Sequence, residues 1–124
     1  MKKKPILIID DERVILESLK MFLAEKGYPV ETAACVAEAR DRIKKSWPEA
    51  IILDIRLPDG SGLDLLRELK EAGLETPVIM ITAFHDMDST VKAIKLGATE
   101  YITKPIDVDE LEKALSRAMK VSPR

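Results

Sequence analysis

One pattern constrains this chain's fold more than any other: a short apolar run followed by a longer segment of helical spacing, repeated five times. The runs are "PILII" (5–9), "PVETAA" (29–34), "AIILD" (50–54), "PVIMIT" (77–82) and "TEYIT" (99–103). Four are continuous enough to suit strands covered on both faces. The second is more polar, as an edge strand would be. Between the runs, Ile15, Leu19, Phe22 and Leu23 line one helix face, and Val36, Ala39, Ile43 and Trp47 line another. Leu65, Leu66, Leu69 and Ala72 mark a third helix, Met87, Val91, Ile94 and Ala98 a fourth, and Val108, Leu111, Leu115 and Met119 a fifth. These stripes are read as core. Gly27, Gly73 and Gly97 fall just past helical stretches, where a left-handed terminating residue is wanted. Ser61 with Asp64, and Asp107 with Glu110, have the spacing of N-terminal caps.

Alternating βα units with short connections require parallel strands and right-handed crossovers. Five units without a dinucleotide motif predict an α/β fold, a doubly wound five-stranded parallel sheet in the order 2-1-3-4-5, flavodoxin-like (βα)5. A closed barrel needs eight units and about twice the length. The 124 residues form one domain over 1–120, with "VSPR" at 121–124 opening a linker or C-terminal tail.

A net charge of −2 gives no polyanion-binding signature, so direct nucleic-acid binding by this chain is not expected. The single cysteine, Cys35, excludes an internal disulfide and suits a reducing, cytoplasmic setting. It is read as a small packed residue. "MKKK" precedes an apolar run too short for a signal sequence or a membrane span.

Chemistry gathers where the strands end. In such a sheet ligands bind outside the carboxyl ends of the strands, near the reversal of strand order, here between strands one and three. Strand one ends at Asp10 and Asp11, strand three at Asp54, and strand four at Thr82; strand five delivers Lys104. Three close carboxylates repel one another, and one takes up a proton unless a cation joins them. Mg²⁺ suits such a site because it prefers oxygen ligands and keeps several waters. With a lysine and a threonine hydroxyl beside one protruding carboxylate, the edge suits stabilisation of a phosphoryl group. Asp54 can then act as a nucleophile toward phosphorus, giving an acyl phosphate.

"ILIIDDE", "IILDIRLPDGSGLDLL", "VIMITAF" and "YITKPID" resemble the receiver domain of two-component response regulators across essentially the whole chain. The resemblance implies a signalling switch, not an enzyme acting on other substrates: a sensor histidine kinase phosphorylates Asp54, and the domain catalyses only its own phosphorylation and dephosphorylation. It assigns Asp10, Asp11 and Asp54 to Mg²⁺, with the backbone carbonyl of Arg56 as a further ligand. Thr82 and Lys104 contact the phosphoryl group, and Tyr101 rotates inward when Thr82 moves. Pro105 is expected to follow a cis bond. "TAFHDMDSTVKAIKLGATEYITKPID" is most similar to receivers of the nitrogen-regulator type, which precede an ATPase acting on sigma-54 polymerase. The output is therefore expected to be transcription. The signal is expected to leave through the face of helix four, strand five and helix five, toward an output domain or a second receiver, including a homodimer. Glu110, Glu112, Lys113 and Arg117 are the charged contacts expected there.

The sole histidine, His85, is read as a solvated loop side chain. Trp47 is expected to pack at the end of helix two, and Phe84 and Arg56 to flank the mouth of the site. An alternative function is an aspartate-nucleophile phosphohydrolase of the haloacid dehalogenase type. That class wants a second aspartate two residues after the nucleophile, where this chain has Arg56. A flavin carrier of similar fold would need a Ser/Thr/Gly-rich phosphate loop after strand one, where this chain has "DDERV".

Overall fold

The computed structural model describes residues 4–83 and 87–120. The expectations for Phe84, His85 and the "VSPR" tail lie outside the described residues. Ten main elements alternate: β1 (Ile6–Ile9), α1 (Arg13–Glu25), β2 (Val30–Ala33), α2 (Val36–Ser46), β3 (Ala50–Asp54), α3 (Gly62–Glu71), β4 (Val78–Thr82), α4 (Met87–Lys95), β5 (Glu100–Thr103) and α5 (Val108–Lys120). The five strands form one parallel sheet in the order β2-β1-β3-β4-β5, as the sequence predicts.

Strand alternation divides the core into two layers. Leu7, Ile9, Ile51, Leu53, Val78 and Met80 face one side and pack with Ala39, Ile43, Leu65, Leu66, Leu69 and Ala93 of the helices. Ile6, Ile8, Ile52, Ile79 and Ile81 face the other, against Leu19 and Leu23 of α1 and Leu111 and Leu115 of α5. Both faces of the three central strands are buried, which explains their unbroken apolar runs. On β2 only Ala33 is fully buried, in keeping with its place at the edge.

Local signals end the helices where expected. Gly27, Gly73 and Gly97 all take positive φ, at 93°, 88° and 103°. At Gly73 no atom lies within 4 Å of where a side chain would start, so the backbone angle alone selects glycine. The Ser61 hydroxyl accepts the Leu63 amide at 3.1 Å, and Asp107 Oδ1 accepts the amides of Asp109 and Glu110 at 2.9 and 3.4 Å.

Two side-chain readings need correction. Val91 and Ile94 are 44% and 61% exposed, so that face of α4 is not core. The buried position is Ala93, with Leu96 and Ala98 half-buried beside it. An apolar stripe defines a face without saying which way it points, and the small Ala93 is the residue that meets the sheet. Trp47 stands at the end of α2 as expected but is not core, with φ at 47° and its amide donating to the Ile43 carbonyl at 3.2 Å. The indole is 60% exposed.

A small hairpin, Arg56–Leu57 pairing antiparallel with Gly60–Ser61, interrupts the connection from β3 to α3. Two-residue strands carry no periodicity, so the turn residues "PDG" are its one local signal.

Candidate functional site

Four of the five strand ends each bring a group to the same edge. Asp10 directly follows β1 and is fully buried; Asp54 ends β3 at 5% exposure, and Thr82 ends β4 at 3%. Lys104 directly follows β5, where its amide donates to the Thr82 carbonyl at 2.7 Å. The Lys104–Pro105 bond is cis, as expected. Carboxylate oxygens of Asp10, Asp11 and Asp54 lie within 4.8 Å of one another.

The Lys104 ammonium is the hub of this cluster. Nζ lies 3.0 Å from Asp10 Oδ2, 3.2 Å from Asp54 Oδ2 and 2.5 Å from Glu12 Oε1. Glu12 is a site neighbour that spacing along the chain does not reveal. Its own amide also donates to Asp10 Oδ1 at 2.8 Å. The signal was present as the third acid of "DDE", but a contact spanning 92 residues has no spacing to reveal it.

Three carboxylates therefore meet one ammonium, and the balance of charge shows in the titration of Asp54 and Lys104. Burial pushes the Asp54 carboxyl above its ordinary range, the charge of Asp10 adds to this, and Lys104 only partly offsets both. For Lys104, burial acts to lower the pKa. Hydrogen bonds to Glu12 and Asp10 and the charges of Asp54 and Asp10 outweigh it and raise the value well above that of a free lysine. The ammonium stays charged at every physiological pH.

A cleft of about 390 Å³ opens over the cluster, lined by Asp11, Glu12, Asp54, Arg56, Thr82 and Lys104 among others. Asp11 is exposed there, whereas Asp10 lies beneath, hydrogen-bonded and ion-paired. The sequence-predicted groups are thus brought together, with Arg56 at the mouth. Tyr101 stands apart on β5, half-buried against the layer that holds α4. Its hydroxyl is buried without a hydrogen-bond partner among the described residues.

The backbone beside Asp54 is tightly packed. The Gly62 amide donates to the Ile55 carbonyl at 2.6 Å, and a methyl group placed on Gly62 would overlap the Asp54 carbonyl oxygen. The obstacle is backbone and cannot swing aside. Gly62→Ala is therefore expected to destabilise the fold by about 1–3 kcal/mol, the usual cost of overpacking. Urea denaturation monitored by circular dichroism checks this; an unchanged midpoint would contradict the close approach.

Comparison with known proteins agrees with this geometry. Residues 6–116 match the family model of the response regulator receiver domain. The chain is 36% identical over 121 residues to the response regulator protein PilR of Pseudomonas aeruginosa, covering 98% of this chain and 27% of PilR. It spans about half the length of other curated relatives. A receiver domain structure from Methanospirillum hungatei superposes with a TM-score of 0.91 at 32% identity, covering 97% of this chain and 96% of that one. The beryllofluoride-activated NtrC4 receiver domain dimer superposes with a TM-score of 0.89 at 37% identity, covering 94% of this chain and 97% of that one. The phosphohydrolase alternative finds no support in these matches. The chain belongs to the response regulator receiver domain family, the phosphorylation-dependent switches of two-component signalling.

Proposed function

We propose that Asp54 of this chain accepts a phosphoryl group from a sensor histidine kinase, and that the modified edge alters the α4–β5–α5 face to control an output, transcription in the first instance. The observation that carries this reading is the nearly buried Asp54 carboxylate at the floor of an open cleft, with the Lys104 ammonium 3.2 Å from its Oδ2. In the transfer a carboxylate oxygen of Asp54 attacks phosphorus, and the P–N bond to the donor imidazole breaks as the P–O bond forms. Lys104 is positioned to move its donors from the Asp54 carboxylate to the new phosphoryl oxygens, and Thr82 supplies a hydroxyl from the neighbouring strand end.

The residues present fit Mg²⁺. All candidate donors are oxygens, the hard ligands that Mg²⁺ prefers, and carboxylate oxygens of three acids converge within 4.8 Å, a concentration of negative charge that a divalent cation offsets. Asp10, Asp11, Asp54 and the Arg56 carbonyl would hold the ion. When bound, it supplies positive charge against the phosphoryl oxygens.

In this reading the switch occupies residues 1–120, in the cytoplasm. Signal transfer starts at Thr82, whose hydroxyl reaches a phosphoryl oxygen by moving toward Asp54. Tyr101 then fills the space vacated beside β5. Its half-buried ring and unpartnered hydroxyl support such a change, since little holds it in place. The outward-facing Val91 and Ile94 of α4 offer apolar surface to a partner, a second receiver among them. The NtrC4 receiver resembling this chain is a dimer in its beryllofluoride-activated form, which supports self-association as one outcome. Two of the charged residues expected to make contacts there are already engaged within the chain. Arg117 holds Glu100 through two bonds of 3.1 Å, and Glu112 lies 3.6 Å from Lys26.

Hydrogen exchange with and without beryllofluoride and Mg²⁺ tests this route. Altered protection is expected in α4 and in the strand holding Tyr101, with a coupling of about 1–3 kcal/mol between phosphorylation and docking. Changes confined to α1 and α2 would place the output face elsewhere.

A further inference from the structure

The N-terminus of α2 is capped from a distant part of the chain. Its N-cap residue is Cys35, whose side chain makes no capping bond to the helix. Instead, Asp59 Oδ1 accepts the Val36 amide at 2.7 Å, and Asp59 Oδ2 accepts the Ala37 amide at 3.1 Å. Both amides are among those a helix leaves unpaired at its start, and a carboxylate there is further favoured by the helix dipole. The contact crosses 22 and 23 residues, so it is a tertiary link and not a local turn.

What Asp59 belongs to gives the link its meaning. It sits at the tip of the small hairpin, between Arg56–Leu57 and Gly60–Ser61, which begins two residues after Asp54. The hairpin is held at two other places. The Gly62 amide donates to the Ile55 carbonyl at 2.6 Å, and Leu57 is buried in the core layer that contains Val36. A side chain on Gly60 would meet Val36 Cγ2 at 3.4 Å, which shows how closely the hairpin rests on the first turn of α2. Two-residue strands have little stability of their own. The bidentate cap ties the hairpin tip to the first turn of α2.

We propose that Asp59 is a positioning residue for the Asp54 site: by clamping the hairpin to α2 it fixes the backbone of Arg56, and thereby tunes Mg²⁺ binding and the lifetime of the acyl phosphate. The proposal rests on the reading of Asp54 and its metal given above. Val36 amide bonding holds the Asp59 carboxyl below its ordinary range, with lesser help from Ala37, so the clamp is ionised and intact at neutral pH. Loosening the hairpin leaves the acids in place and blurs only the position of the carbonyl they share a metal with.

The test uses Asp59→Ala and Asp59→Asn, with Arg40→Ala as a control. Arg40 pairs with Glu68 at 2.7 Å, so the control loosens α2 against α3 while leaving the amide bonds to Asp59 in place. Two readouts separate the clamp from the site. In metal-free protein, hydrogen exchange in Asp59→Ala is expected to rise together at Val36, Ala37, Leu57 and Gly62, and to stay near the parent's level at the hairpin in Arg40→Ala. In calorimetric titration with Mg²⁺, Asp59→Ala is expected to bind about tenfold more weakly, the scale of a lost outer-shell partner. Asp59→Asn, which retains one acceptor oxygen, should recover part of that loss, and acyl phosphate decay should rank in the same order. A rise in exchange confined to Val36 and Ala37 would overturn the proposal, as would Mg²⁺ affinity in Asp59→Ala equal to the parent's or an equal loss in Arg40→Ala. If the parent itself took neither Mg²⁺ nor phosphate while exchange responded as expected, the reading of the Asp54 site would fall and the clamp would stand.

Discussion

Asp54→Asn is expected to lose all phosphorylation while gaining stability. Incubation of the parent with acetyl phosphate and Mg²⁺ should add one phosphate by intact mass, and the variant should add none. The amide keeps the shape of the side chain but has no charged oxygen to attack phosphorus. The gain in stability has a separate cause. Burial and the charge of Asp10 hold the Asp54 carboxyl above its ordinary range. At neutral pH its ionised form therefore costs folding free energy that a neutral amide does not. Lys104 keeps Asp10 and Glu12 as partners in the variant. In chelator at neutral pH the melting temperature should rise, each 1 kcal/mol corresponding to about 4 °C for a domain of this size. A variant that labels like the parent would remove Asp54 from its proposed role. A lower melting temperature would mean that Lys104 needs Asp54 more than Asp54 is harmed by Asp10.

The second large effect is expected at Asp11. Asp10 and Asp11 are adjacent in sequence but occupy different environments. Asp10 is fully buried and already bonded to the Glu12 amide and the Lys104 ammonium, so its removal disturbs the protein as well as any metal. Asp11 is exposed and lines the cleft, which makes it the acid best placed to meet an ion arriving from solvent. Asp11→Ala is expected to weaken Mg²⁺ binding by at least about 100-fold, the upper end of the cost of a lost outer-shell partner, and to remove nearly all phosphorylation. Relief of repulsion among the remaining acids should leave the metal-free variant at least as stable as the parent. Calorimetry is the suitable measurement, because Trp47 lies before the start of β3 while Asp54 lies at its end. Equal affinity in the two proteins would contradict the proposed metal site.

The sheet was legible because its signals are local. A continuous run such as "AIILD" can be satisfied only where both faces are covered, and the more polar "PVETAA" only at an edge. Once the order of strands is known, Asp10, Asp54, Thr82 and Lys104 fall at one edge by topology alone. Legibility ends where a residue's role depends on contacts between distant segments. Glu12 reaches Lys104 across 92 residues and Asp59 reaches α2 across more than twenty, and neither leaves a trace in spacing. Val91 and Ile94 show another limit. Their periodicity is that of a core stripe, yet they face outward because the nine-residue α4 meets the sheet through Ala93. Trp47 shows a related limit: a large aromatic in the stripe's next position falls where the backbone has already turned left-handed out of the helix.

This acidic edge is expected to form a Mg²⁺-dependent acyl phosphate on one aspartate. The most direct measurement is to treat the protein with acetyl phosphate, reduce any acyl phosphate with borohydride, and locate the resulting alcohol by peptide fragmentation. A single reduced residue is expected, at position 54, formed with Mg²⁺ and absent in chelator. Reduction at Asp10 or Asp11, or equal labelling with and without the metal, would contradict it.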